Sequence, residues 1–173
     1  ATIAWYFECI DKGFLKDEFV HSSNKILDIL RAIVSRKGIG DLLAEGTKFA
    51  SATVKRGSSD FAMHVKGLEM PGYEPRTLKT MALALAVSTR GACHNRSSAY
   101  EYDFSSVTDR FKADTEKGDL VAKGEDYSAV MDSMIWCKFV RKVFSDFYVE
   151  SAEILATVTG WDIDAEAVSY THL

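Results

Sequence analysis

Ile26, Leu27, Leu30, Ile33 and Val34 recur at intervals of three and four residues within "KILDILRAIVSRKG". That spacing places apolar side chains on one face of an α-helix, and a helix so striped needs a core to cover it. Ser23 or Asn24 can cap it, and Gly38 and Gly40 break it. The same punctuation divides the rest of the chain. Residues 2–12, "TIAWYFECIDK", are apolar all round and end at Gly13, which predicts a buried helix followed by a polar turn. "DLLAEGTKFASATV" predicts a third helix capped by Asp41. "FAMHVKGLEMPGYEPR" alternates weakly and holds both prolines, Pro71 and Pro75, which predicts a short extended segment and a turn. A fourth helix, "TLKTMALALAVSTR", is expected from near Thr77 to Gly91. Residues 97–120 are polar and read as a long connection. "DYSAVMDSMIWCKFVRKVF" is helical in composition with an interrupted stripe. "FYVESAEILATVTG" predicts a helix closed by Gly160, and "WDIDAEAV" opens another with Asp162 or Asp164 as its cap. The sum is a mainly α chain, an irregular multi-helical array with little sheet.

Its 173 residues suffice for one domain with a core, or for parts of two. A net charge of −4 makes no electrostatic case for nucleic acid or an anionic membrane surface. The apolar run "MALALAV" is too short to span a bilayer. The first residues lack a basic segment and carry Glu8 and Asp11, unlike a secretory leader. Cys9, Cys93 and Cys137 are odd in number and widely spaced, which argues against a disulfide framework and for a reducing compartment. The ends, Ala1 and "SYTHL", read as those of a fragment, with 169–173 a non-native tail.

The densest chemistry lies in "STRGACHNR", Ser88 to Arg96. Cys93 and His94 are adjacent and point different ways, and nothing marks an orienting third group for a cysteine nucleophile, so Cys93 reads as a small buried residue. His94 follows a glycine at a helix end with Arg90 and Arg96 near it. Two cations depress an imidazole's basicity and attract an anion such as phosphate. Without a ligand, the same residues read as a loop histidine and two solvated arginines. Asp132 and Cys137 are five apart, about 140° around a continuous helix, so they meet one ligand only if the backbone breaks between them. No second Cys or His stands at C-x2-C spacing, so this chain alone builds no metal site. There is no Gly-rich phosphate loop, G-x-S-x-G or H-E-x-x-H.

Three stretches together, "HVKGLEMPGYEPR", "MALALAVSTRGACHNR" and "DSMIWCKF", resemble the tungsten-containing aldehyde:ferredoxin oxidoreductase family in order and approximate spacing. "TIAWYFECIDKGFL" and "SRKGIGDLLAEGTKFAS" resemble that family's helical middle region. The resemblance implies a parent with an N-terminal β domain and two helical domains. Residues 1–70 would belong to the middle domain and 71–168 to the C-terminal one. It implies a tungsten (or molybdenum) ion held by two pterins, a neighbouring [4Fe-4S] cluster, an aldehyde substrate and ferredoxin as electron acceptor. "DSMIWC" matches the family's D-x-x-G-L-C. By that match Asp132 binds a pterin and Cys137 is the fourth cluster ligand. Ile135 stands where the family prefers Gly, and Trp136 where it prefers Leu; a bulky Ile opposes the same backbone turn. His94 matches a histidine near the metal, placed to donate a hydrogen bond to the aldehyde oxygen or a metal oxo group and to relay a proton. Arg96 matches a basic position on the pterin phosphate, Asn95 adds a polar contact, and Arg90 is unassigned. The other three cluster cysteines, in C-x2-C-x3-C spacing, fall outside this chain, as does the β domain, so the fragment alone is expected to be inactive. A same-fold reductase of a carboxylate or aromatic thioester and a cofactor-free helical interaction module are the alternatives, and homo-oligomerisation is left open.

Overall fold

A computed structural model describes residues 1–17 and 22–170. Among them are nine α-helices: α1 (Thr2–Asp11), α2 (Ser23–Ser35), α3 (Ile39–Ala44), α4 (Thr47–Val54), α5 (Lys79–Val87), α6 (Tyr100–Asp103), α7 (Glu116–Ser133), α8 (Phe147–Thr159) and α9 (Ala165–Tyr170). One two-stranded hairpin, β1 (His64–Val65) with β2 (Leu68–Glu69), is antiparallel and pairs His64 with Glu69. The mainly helical expectation holds. The chain forms two compact units: Ala1–Gly72 with Ser88–Cys93, and Tyr73–Val87 with the residues from His94 onward.

The first unit is built around α1. Trp5, Tyr6, Phe7, Cys9 and Ile10 are buried against Ile29, Leu43, Ala50 and Ala62, as an all-round apolar helix requires. The indole of Trp5 donates to the Ser58 carbonyl at 2.9 Å. Burial, then the charge of Glu8, pushes the Cys9 thiol up to about 11, so it stays protonated at neutral pH. The turn expected after Gly13 lies partly outside the described residues. α2 is capped one residue earlier than expected, by Ser22, whose Oγ accepts the Lys25 N–H at 3.2 Å. Its stripe is only partly used. Ile29 is buried and Ile33 packs on the core, whereas Ile26, Leu27, Leu30 and Val34 are exposed. The apolar band of α2 is wider than the face this unit covers.

The single helix expected over "DLLAEGTKFASATV" is two. Gly46 sits at φ 84°, a left-handed conformation that ends α3 and turns the chain into α4. Gly46 has no side chain to cap α4, and the Glu69 carboxylate takes that role by accepting the Thr47 N–H at 2.6 Å. Asp41 is not a cap; it lies inside α3 and pairs with Arg36 at 2.9 Å.

In the second unit α5 begins at Lys79, not Thr77, and stops at Val87, short of Gly91. Its start is set from a distance: the Asp103 carboxylate accepts the Thr80 and Met81 N–H groups at 3.2 and 2.8 Å. The stretch 97–120 is not a bare connection. It contains α6 and the first turn of α7, because its polar residues serve as caps and as a buried ion pair rather than as solvated loop. α7 presses its backbone onto the segment after His94. A Cβ at Gly124 would fall 2.3 Å from the Ser97 carbonyl oxygen, so only glycine fits. Within the stretch read as helical in composition with an interrupted stripe, α7 ends at Ser133. Val130, Met131, Phe147, Ala152 and Val168 form the core at this end. Asp146 and Glu150 cap α8 reciprocally, Asp146 accepting the Val149 N–H and Glu150 the Ser145 and Asp146 N–H groups. Asp164, not Asp162, caps α9 through the Ala167 N–H at 2.8 Å. Of the expected tail, Ser169 and Tyr170 end α9, and 171–173 lie outside the described residues.

Candidate functional site

The motif Ser88–Arg96 is divided between the units. Ser88–Cys93 groups with the first, where the Ser88 carbonyl accepts from Lys66 Nζ at 2.9 Å. Arg90 there is exposed and Cys93 half-buried. His94, Asn95 and Arg96 form a short 3-10 turn in the second unit, with Asn95 exposed.

The half-buried His94 imidazole lies beside two tyrosines. Its ring centroid is 5.4 Å from Tyr73 and 6.1 Å from Tyr100. Those two rings stack on each other at 4.4 Å, only 12° from parallel. Tyr100 Oη accepts a hydrogen bond from Arg141 Nη2 at 2.8 Å. Burial first, and then the Arg141 charge, lower the basicity of His94 below the ordinary histidine value. The expected direction holds, but its source differs: the cation is Arg141, not Arg90 or Arg96. Arg96 is turned to an anion instead.

That anion is Asp132. Arg96 Nη1 meets Asp132 Oδ2 at 3.0 Å, and Lys138 Nζ meets Oδ1 at 2.8 Å. Just beyond Asp132, α7 ends in a Schellman turn. The Ile135 N–H reaches the Asp132 carbonyl at 3.2 Å and the Trp136 N–H reaches Met131 at 2.8 Å. Ile135 adopts φ 59°, so the bulky residue does take the left-handed turn that glycine usually supplies. The break in the helix that a spacing of five demands is therefore present. Cys137 follows in extended conformation and its thiol is exposed. Trp136 joins the core and packs edge-on against Phe144 at 4.9 Å.

The structure thus brings Arg96 and Asp132 together and adds Lys138, which the sequence reading missed although it adjoins Cys137. Arg141, Tyr73 and Tyr100 were missed as well; their signal is tertiary, apart from the position of Tyr73 within "PGYEPR". Among the described residues, no three His, Cys, Asp or Glu gather into a metal site. The donor set still suits part of a larger cofactor site. Two of the roughly four acceptor positions of Asp132 are engaged, which leaves others for N–H donors. Two cations around one carboxylate leave a net positive charge for an anion. Arg96 Nε and Trp136 Nε1 are buried donors without partners.

A family model described as aldehyde ferredoxin oxidoreductase, domains 2 and 3, matches residues 1–171. The chain belongs to this family. Among curated relatives, it is 30% identical over 184 residues to a tungsten-containing aldehyde ferredoxin oxidoreductase of Thermococcus kodakarensis, and 29% identical over 183 to one of Pyrococcus furiosus. Each alignment covers 95% of this chain but 28% of the relative, so the chain spans under a third of the length of these relatives. The family assignment agrees with the resemblance carried by the three quoted stretches and with the helical fold.

Proposed function

We propose that the protein carrying this chain oxidises an aldehyde with water to a carboxylate at a tungsten or molybdenum ion held by two pterins. A [4Fe-4S] cluster would supply the one-electron transfer to ferredoxin. Residues 1–70 and 71–168 are parts of its helical middle and C-terminal domains, and the oxygen sensitivity of the cluster and reduced metal favours a cytoplasmic setting. Among the described residues no helix is long and apolar enough to cross a membrane. The observation that carries the reading is the convergence of Arg96 on Asp132 at a helix end that breaks before an exposed Cys137.

The bound metal centre supplies the two-electron chemistry. This chain's residues supply the rest. Burial first, and then the Arg141 charge, favour the neutral form of the His94 imidazole, which has one nitrogen to donate and one to accept, as a proton relay requires. Asp132 offers its unengaged acceptor positions to the N–H edge of a pterin, while Arg96 and Lys138 hold the carboxylate in orientation. Arg96 Nε donates to a phosphate oxygen, and the exposed Asn95 adds a polar contact. Cys137 contributes one thiolate to the cluster, and three more come from residues outside this chain. A single thiolate holds no cluster, so the segment made alone is inactive.

The test is metal and iron analysis with aldehyde turnover in the full-length protein. Cys137→Ser is expected to lose or weaken the cluster, and His94→Ala to retain the metal while slowing turnover about 10²-fold or more. Unchanged metal content and activity in both variants would reduce this segment to a helical interaction module that contacts no cofactor.

A further inference from the structure

Arg141 enters the cofactor reading only as a charge beside His94; its hold on the segment after His94 is unused there. Its side chain is 17% exposed and both of its Nη atoms are engaged. Nη1 donates to Ser98 Oγ at 2.8 Å, Nη2 donates to Tyr100 Oη at 2.8 Å, and Glu101 completes the set as an ion pair. All three partners lie within four residues, just after the His94 turn. Two of them touch His94 directly. The Ser98 N–H donates to the His94 carbonyl at 3.0 Å, and the Tyr100 ring packs beside the imidazole in the stack with Tyr73. Ser98 also sits at φ 51°, a left-handed conformation that a serine holds only when its surroundings fix it. A planar guanidinium fork suits this task, because it sets several donor directions at once, which a lysine ammonium does not.

We infer that Arg141 is the positioning residue of His94: by gripping Ser98 and Tyr100 it fixes both the backbone and the ring of the proposed proton-relay histidine. This rests on the reading of His94 given above, but its test does not require a loaded metal centre. The charged and titratable groups around His94 are Tyr73 before α5, Tyr100 and Glu101 on α6, Arg141, and Arg96 with its partner Asp132 on α7. After Lys79, α5 carries no charged residue. Removing Arg141 therefore removes a cation facing the imidazole and also loosens its support, and these two effects are separable.

Diethyl pyrocarbonate acylates only neutral imidazole. The rate of His94 acylation in the full-length protein, read by mass spectrometry as a function of pH, reports a titration midpoint and a high-pH plateau. The midpoint senses charge; the plateau senses how firmly the ring is held. Arg141→Lys and Tyr100→Phe are expected to raise the plateau several-fold, the first while keeping the charge and the second while keeping the ring. Arg141→Met is expected to raise the plateau and also to move the midpoint to higher pH. A plateau unchanged in both Arg141→Lys and Tyr100→Phe overturns the inference, whatever Arg141→Met does or whether it folds. In the loaded enzyme Arg141→Lys should lower kcat with KM held. If His94→Ala leaves turnover intact, the relay reading fails while the acylation result still decides whether Arg141 positions the ring.

Discussion

Lys117 Nζ lies 3.8 Å from Asp103 Oδ1 in the interior of the second unit, with both side chains at most 2% exposed. The pair joins three elements. Asp103 ends α6 and caps α5, while Lys117 in the first turn of α7 also donates to Thr80 Oγ1, Thr108 Oγ1 and the Asp109 carbonyl at 3.0–3.1 Å. Each charge thus has its partner and its hydrogen bonds, the condition under which burial is tolerated.

Breaking the pair from one side leaves an uncompensated charge in the interior. Lys117→Met is expected to cost about 3–5 kcal/mol of folding stability in urea unfolding. Adding Asp103→Asn should cost less than the sum of the single changes, by a coupling of about 0.5–3 kcal/mol. Strict additivity would show that the two side chains do not act as a pair.

Ile135 carries backbone strain with little burial in return, since it is 91% exposed. Ile135→Gly is expected to raise stability by about 1–2 kcal/mol, the cost of a left-handed conformation for a residue with a Cβ. A loss of stability on the same substitution would mean that the strain is not there.

The Arg96–Asp132 pair has the opposite profile. Its side chains are 41% and 40% exposed, so solvent screens it and its removal should change stability by no more than about 1 kcal/mol. Asp132→Asn in the full-length protein is nevertheless expected to lower bound pterin and tungsten. Stability measured by unfolding and metal content measured by elemental analysis should part company; a large stability loss with normal metal content would reassign Asp132 to the fold.

His94 makes stability depend on pH in a defined direction. Its folded-state basicity is lowered, by burial first and then by Arg141, so as pH falls the unfolded chain takes up the proton before the folded one. The contribution is present above the unfolded value of about 6.5. It is lost as pH drops from there through the lower folded value. Unfolding at a series of pH values should show this slope in the native protein and a shallower one in His94→Gln.

Local regularities were legible in the chain. The all-round apolar α1, the glycine that closes α8, the extended segment around His64–Glu69 and the sparse sheet follow from side-chain periodicity and backbone freedom within a few residues. So was the requirement that the helix break between Asp132 and Cys137, which is a matter of angle per residue. What the chain by itself did not disclose has a common physical character. The true start of α5 depends on Asp103, the anion held by Arg96 is Asp132, and the cation facing His94 is Arg141. The exposed side of α2 depends on what the first unit covers. Each is decided by which polar or apolar groups from distant segments arrive at the same place. Periodicity determines the element; only tertiary packing determines its partners, because a carboxylate, a guanidinium or an apolar face is satisfied equally well by any suitable group within reach.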